Sequence, residues 1–266
     1  MAIEKGFIIL DKPAGMTSFE ACDAARKKVG ADKAGHAGTL DPMVTGILMV
    51  ALNSATKLMP LLDKLDKTYE GKAHLHKDVS LTQLKKIIKQ KFVGKIKQIP
   101  PQKSRVARVE REREIYEFKI LNREGRELFY RVHCEKGTYI RKLIDDLGKE
   151  IGGAHMTGLR RIKQGPFPIK DAVTMEKLSQ KDILPAEKII EKVSPILFVS
   201  AEAETKLKQG KFLVAAEIKK IRGKFEKEQI VAAFCNKQVV ALVKPFFSSK
   251  EIKKQQGYVL KPERVI

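Results

Sequence analysis

The chain of 266 residues has no tryptophan, only 6% aromatic residues and three cysteines. Cys22, Cys134 and Cys235 are far apart, odd in number and never in a CxxC pair, which excludes a disulfide framework and a zinc ribbon. A reduced, cytosolic compartment is the simplest reading of such cysteine usage. No apolar run approaches the ~18–20 residues that span a bilayer. The start enters a strand-like run directly, without the apolar stretch and cleavage site of a signal peptide. Nucleotide fingerprints of the GxGxxG and GxxxxGK[ST] kinds are missing. So are HExxH, a Cys/His cluster and the signatures of helix-turn-helix or zinc-finger DNA binders. Acidic side chains are also scarce, 32 against 53 basic ones, for a net charge of +21.

Apolar residues make up 43% of the chain, enough to build real cores. At roughly 100–200 residues per domain, the length corresponds to one large or two moderate domains. A charge of +21 suggests a polyanionic partner, most often nucleic acid, or else the solvated Lys-rich surface of a heat-adapted protein. The distribution favours a directed surface. Residues 1–80 hold 11 basic and 10 acidic groups, 81–130 hold 14 and 6, 131–190 hold 12 and 8, and 191–266 hold 16 and 8. The excess therefore sits in a middle lobe and at the C-terminal end.

Phe7 to Leu10 reads as a buried strand closed by an Asp11-Lys12-Pro13 turn. Thr17 and Glu20 fit a capping box, predicting a helix to Val29 that stops at Gly30. Residues 34–46, with three glycines and a proline, read as a long loop. A strand over 47–52 and a short helix over 54–62, ending near Pro60, follow. Ser80 to Phe92 has helical apolar spacing with Lys85, Lys86, Lys89 and Lys91 on the remainder. Pro100-Pro101 forces an extended segment, followed by Lys103, Arg105 and Arg108. Tyr116, Phe118 and Ile120 alternate as a strand over 115–121. Leu128, Tyr130, Val132 and Cys134 alternate as its antiparallel partner over 128–135. Ile140, Leu143, Ile144, Leu147 and Ile151 form a helix stripe ended by Gly152-Gly153. Lys192 to Pro195 reads as a linker to a β-rich tail, with a helix near 201–208 and a hairpin about Asn236-Lys237.

The densest chemical constellation is Gly35-His36-Ala37-Gly38-Thr39-Leu40-Asp41-Pro42. Glycines let a backbone approach a ligand closely, and Asp41 is the only carboxylate between Asp32 and Asp63. A lone carboxylate there suits a nucleophile or general base; by itself, Asp-Pro also suits a turn or helix N-cap. His74 and His76 share a strand face and could touch a metal, but no third ligand is evident.

Gly35 to Pro42, with Val44-Thr45-Gly46, resembles the catalytic motif of the TruB family of RNA pseudouridine synthases. Four further segments agree in order: Ile9 to Pro13 with Gly15 to Ser18, Lys67-Thr68-Tyr69, Lys136 to Arg141, and Gly153 to Arg161. Together they cover roughly residues 6–180, and the tail is similar to a PUA domain. Ala37 departs modestly from the pattern, standing where relatives often have Gly, Ser or Thr.

The resemblance implies an α+β fold: a pseudouridine synthase core over 1–190, with a largely antiparallel sheet, flanking helices and a central cleft, then a PUA-like β-barrel over 191–266. It implies an isomerase that breaks the N1–C1′ bond of a uridine in RNA and rejoins C5 to the sugar, without cofactor or metal. Asp41 would be the essential carboxylate, attacking either sugar or base. Tyr69 would stack on the target base and assist proton transfer, and Arg141 would pair with Asp41 and favour its ionised form. His36 would sit where the extruded nucleotide enters, and Lys12 and Leu159 would shape the pocket. Flipping the base out costs a few kcal/mol, of which an aromatic platform recovers ~1–3 kcal/mol.

The segment after Tyr69 resembles the archaeal and eukaryotic dyskerin-like branch, the catalytic subunit of box H/ACA ribonucleoproteins. That branch implies rRNA or tRNA as substrate and a guide RNA. Its protein partners are a zinc-ribbon protein, a β-barrel protein and a kink-turn binder. An archaeal cytoplasm is the expected location, with no membrane contact. The alternatives are a stand-alone tRNA T-loop synthase and a non-catalytic RNA-binding scaffold.

Overall fold

The computed structural model describes residues 5–100, 107 and 109–266. Pro101, Lys103, Arg105 and Arg108 of the expected extended basic segment lie outside the described residues. The first part of the chain comprises β1 (Lys5–Lys12), α1 (Ser18–Val29), β2 (Ala34–Ala37), β3 (Thr45–Asn53), α2 (Met59–Asp63) and β4 (Lys67–Leu75). It continues through α3 (Leu81–Lys91), β5 (Gly94–Gln98), β6 (Arg111–Glu124), β7 (Glu127–Cys134), α4 (Ile140–Ile151) and β8 (Ala154–Gln164). Short strands β9 (Phe167–Pro168), β10 (Val173–Thr174) and β11 (Leu184–Pro185) and the helix α5 (Ala186–Val193) complete it.

These strands form one 11-stranded sheet with the main order β10-β1-β3-β8-β4-β7-β6-β5. Only the pairs β1–β10 and β3–β8 run parallel, so the sheet is mostly antiparallel, as expected. The central β3–β8 junction requires Gly46: at φ +103, an added Cβ would stand 2.2 Å from the Arg161 carbonyl oxygen. Gly46 therefore serves backbone approach rather than ligand contact.

Packing explains the apolar patterns. Ile8 and Leu10 face α1 through Ala21, Ala25 and Val29, whereas Phe7 and Ile9 face α2 and α5 through Leu61, Leu62, Ile189 and Ile190. Burial on both faces is why β1 reads as a continuous apolar run rather than an alternating one. Further along the sheet, α3 and α4 cover Ala73, Leu75, Leu128, Tyr130 and Val132. Thr17 caps α1 with the full box, and Gly30 closes it in the left-handed region.

Several expectations needed correction. The long loop over 34–46 begins as strand β2, whose Ala34 to Ala37 pair with Leu52 to Met49 of β3; glycine weakens a strand but does not forbid an edge strand with a partner ladder. Residues 54–62 are a 3₁₀ turn, Ser54–Leu58, followed by α2, with Pro60 in the first turn of α2 rather than at its end. That position suits proline, whose missing N–H is spare there. Tyr116 leaves the expected Phe118 face because the β6–β7 register shifts between Ile115 and Glu117. A bulge of this kind moves one residue off the alternation; Ile115 is buried instead and Tyr116 is half exposed.

The second sheet uses β12 (Ile196–Val199), β13 (Leu213–Val214), β14 (Ile218–Arg222), β15 (Val231–Cys235), β16 (Gln238–Pro245) and β17 (Tyr258–Val265), ordered β13-β17-β16-β15-β12-β14. Helix α6 (Ala201–Lys208) lies where the sequence places it. Asn236 and Lys237, at φ 47 and 64, make the two-residue hairpin turn, the backbone twist that matches flanking strands. The supposed linker is not a free tether. Residues through Val193 are helical in α5, and Ile196, Ala232, Phe234, Val239 and Leu242 share one apolar cluster with Phe7, Met49 and Ile189.

Candidate active site

Asp41 stands on the segment between β2 and β3, at the centre of the large sheet. Its Oδ2 accepts a hydrogen bond from Nη2 of Arg141 at 2.6 Å. Arg141 projects from the first turn of α4, beside the buried Ile140-Leu143-Ile144 stripe. The two side chains are 54% and 58% exposed. An ion pair this open contributes little to stability, ~0–1 kcal/mol. Its consequence is orientation: the carboxylate is held at the surface, in reach of a ligand.

Both segments are held from beneath by buried polar groups. Ser18 Oγ donates to the Leu40 carbonyl at 3.0 Å and accepts from the Leu40 amide at 2.7 Å. The Gly15 amide donates to the Pro42 carbonyl at 3.0 Å, and the Val44 amide to that of Asp41 at 3.0 Å. Lys12 Nζ donates to the carbonyls of Pro13, Met16 and Pro42 at 2.7, 2.6 and 3.0 Å. Arg161 Nη2 donates to Gly38 at 2.8 Å and its Nε to Ile47 at 2.7 Å. Gln164 donates to Ala37 at 3.3 Å. On the other side, Gln98 replaces the missing side-chain cap of α4. Its Oε1 accepts from the Tyr139 amide at 3.0 Å and its Nε2 donates to the Tyr139 carbonyl at 3.2 Å.

These cations are costly to bury, and their proton affinities show it. Burial, aided by Arg161 and opposed by Asp41, lowers the Lys12 pKa. Burial, again aided by Arg161, lowers Lys67 to about 8; its Nζ donates to the carbonyls of Asp63 and Leu65 at 3.1 and 2.5 Å. Burial raises the Asp63 pKa against the opposing charge of Lys67. Tyr69 lies buried below the Asp41 segment in one cluster with Leu40 and Val44, and half-buried Leu159 packs against it. Burial raises the Tyr69 phenol pKa, while Arg161, hydrogen-bonded to it, opposes the rise.

The structure thus brings Asp41, Arg141, Tyr69 and Leu159 together. It places Lys12 beneath the loop, bonded to backbone carbonyls. His36 is set apart on β2, lining a cavity of about 440 Å³ between α1 and α2. Sequence reasoning passed over Ser18, Lys67, Gln98, Arg161 and Gln164. Ser18, Lys67 and Arg161 stood inside the quoted motifs, so their signal was present. Gln98 opened a segment that resembles the dyskerin-like branch, but only the folded chain shows that it bonds Tyr139.

His74 and His76 acquire a neighbour in His155, whose Nδ1 is 2.8 Å from His76 Nε2, while His74 Nδ1 meets Glu127 at 2.5 Å. No group of three His, Cys, Asp or Glu side chains among the described residues is arranged to hold a metal. The basic middle lobe is partly answered by its own carboxylates, through Lys95–Glu112 and Lys97–Glu110, and by Glu150 of α4 through Lys91. All three cysteines are free and buried, and burial pushes Cys22 up to about 11 and Cys134 to about 12. Such thiols are inert. No described helix is long and apolar enough to cross a membrane.

Comparison with known proteins bears on this geometry. Residues 26–140 match the TruB family pseudouridylate synthase N-terminal domain, 141–197 the tRNA pseudouridylate synthase B C-terminal domain, and 195–266 the PUA domain. A "Probable tRNA pseudouridine synthase B" of Methanococcus maripaludis strain C6 is 37% identical over 281 residues, covering 99% of this chain and 84% of that protein. One of the same name from Pyrobaculum calidifontis is 36% identical over 282 residues, covering 99% and 84%. Among solved structures, one of a Cbf5–Nop10–Gar1 complex superposes with a TM-score of 0.90 at 36% identity, covering 98% of this chain and 84% of the matched one. An H/ACA ribonucleoprotein bound to a substrate RNA containing 2′-deoxyuridine gives 0.86 at 35% identity, covering 98% and 84%.

The fold and the matches define an RNA pseudouridine synthase, an isomerase. The chain belongs to the TruB family and carries a PUA domain.

Proposed function

We propose that the chain is the catalytic subunit of a guide-directed box H/ACA ribonucleoprotein that isomerises a chosen uridine in rRNA or tRNA, with Asp41 as the catalytic carboxylate. The observation that carries the guided reading is the superposition with Cbf5 of the Cbf5–Nop10–Gar1 complex over nearly the whole chain. Residues 1–190 would perform the reaction and 191–266 hold RNA, in the cytoplasm of an archaeon. A guide RNA selects the target, and small zinc-ribbon, β-barrel and kink-turn-binding proteins complete the particle.

The chemistry balances within the substrate: the N1–C1′ bond breaks, a C5–C1′ bond forms, and the proton lost from C5 is matched by one gained at N1. Asp41 is exposed and is held by the ion pair with Arg141, which keeps its carboxylate in reach of a substrate. Tyr69 and Leu159 form the apolar floor on which the flipped uridine rests. His36 stands by the path of the extruded nucleotide, and Lys12 keeps the Asp41 segment in shape. The backbone bonds to Leu40, Asp41 and Pro42 fix the attacking group before substrate arrives, the preorganisation on which such catalysis depends.

A second reading, a stand-alone tRNA synthase, is favoured by the printed names of the archaeal relatives. Single-turnover assays on a tRNA T-loop transcript and on a guide-paired target, with and without the guide RNA and small proteins, separate the two. The guided reading expects conversion only of the paired target, and only with the guide; rapid conversion of the T-loop by the protein alone overturns it. In either assay Asp41→Asn should abolish pseudouridine formation while RNA still binds. Retained turnover would remove Asp41 from the mechanism.

A further inference from the structure

The two most exposed large apolar side chains among the described residues flank the Asp41 segment. Phe19 is 75% exposed and Met43 is 74% exposed. Large apolar side chains are usually withdrawn from water, and neither of these two enters a core. Both are tied to the catalytic carboxylate. Met43 follows Asp41 by two residues. Phe19 follows Ser18, whose hydroxyl bonds both the amide and the carbonyl of Leu40. Phe19 also stands in the first turn of α1, a helix fixed by a complete capping box and by packing of Ala21 and Ala25. Its backbone is therefore held at a set position relative to the Asp41 segment.

Phe19 lines the same cavity of about 440 Å³ as His36, together with Cys22, Met59 and Lys33. A space of that size accepts a nucleoside. Through the two bonds of Ser18 to Leu40, this cavity adjoins the segment that presents Asp41. Aromatic rings hold unstacked bases without regard to sequence, since every base offers a π-face.

We infer that Phe19, with Met43 beside it, is a stacking subsite for a base flanking the target uridine on the substrate strand. This subsite is separate from the pocket that takes the target itself. The inference rests on the proposed reaction at Asp41 only for the direction from which RNA arrives. Once the target flips out, its neighbours lose a stacking partner, and the Phe19 ring supplies one. Met43, unbranched and polarizable, fills the remaining gap whatever base lies there.

The test uses the full chain, alone and assembled with guide RNA and small proteins, and substrate RNA carrying 2-aminopurine on either side of the target. Stacking on Phe19 should alter the probe's fluorescence on one side, and Phe19→Ala should abolish that change. The same variant should raise the KM for RNA roughly 5- to 150-fold, the range of aromatic stacking, with kcat within about threefold. Phe19→Trp should restore both readouts, and Phe19→Leu, which keeps apolar bulk without a flat ring, should not. Unchanged fluorescence and KM in Phe19→Ala overturns the subsite, and so does full rescue by Phe19→Leu. If the wild type forms no pseudouridine yet its fluorescence change still depends on Phe19, the reaction assignment fails and the subsite stands.

Discussion

Beneath the Asp41 segment the buried side chains include Lys12, Ser18, Lys67, Arg161 and Gln164, whereas every buried side chain described within 196–265 is apolar. Gln98, the remaining buried polar residue, sits under the start of α4, the other half of the same site. All six lie within reach of the two segments that present Asp41 and Arg141. Burying a polar group costs energy unless its partners are supplied, and here the partners are main-chain groups, most of them in or beside those segments; Lys67 instead bonds the carbonyls of Asp63 and Leu65. A loop has few apolar contacts of its own with which to hold a shape. Directional bonds to its carbonyls and amides do so, at a cost in stability that the apolar C-terminal sheet does not incur. Stability and geometry are thus supplied by different parts of the molecule.

That contrast can be broken by experiment. The largest expected effect on stability lies far from the site. Leu260→Ala empties part of the apolar cluster shared with Leu207, Val231 and Ile252. It should lower the unfolding free energy by about 2–5 kcal/mol, measured by denaturant titration. The single-turnover rate of the folded fraction should remain near wild type; a rate that falls in parallel would mean that the two regions are not separable.

Gln98→Leu should show the opposite balance. It strands the Tyr139 amide and carbonyl, a loss of about 1–3 kcal/mol, while the start of α4 loosens two residues before Arg141. The single-turnover rate should drop at least about tenfold, more than RNA affinity does, as expected where an interaction positions the reacting group. Gln98→Glu, which can still accept from the Tyr139 amide, should recover part of the rate.

The smallest effect is one of pH. Lys67 titrates near 8 in the folded chain, against 10.5 for the unperturbed side chain. Between those values the unfolded chain binds a proton that the folded chain does not, so stability contributed at this site rises with pH. The slope is at most about 1.4 kcal/mol per pH unit. Compared with Lys67→Met, the wild type should gain stability from pH 8 to 10 in urea melts. A parallel pH dependence in the two proteins would show that Lys67 is not the buried charge described.

Much was legible before the fold. The α1 cap, the α4 stripe, the alternation of β7 and the Asn236-Lys237 turn are local patterns, and local chemistry decides them. The residues now gathered about Asp41 were also visible as motifs. Strands β5, β8 and β14 were missed because their alternation is weak and their existence depends on neighbours such as β4 and β12. The linker expected at 192–195 was misread for a related reason: its composition is that of a connection, but Ile189 and Ile196 on either side enter a common core.

Sequence by itself singled out which residues to expect at the site: one carboxylate among glycines, an arginine at a helix start, an apolar platform. Residue type and spacing made them visible, and the resemblance to the TruB motifs implied their roles. Tertiary structure alone decided what holds them. Arg161 reaches Gly38 across 123 positions, and Gln98 reaches Tyr139 across 41. A hydrogen bond depends on distance and direction in space, and only the completed sheet sets those between residues so far apart in the chain.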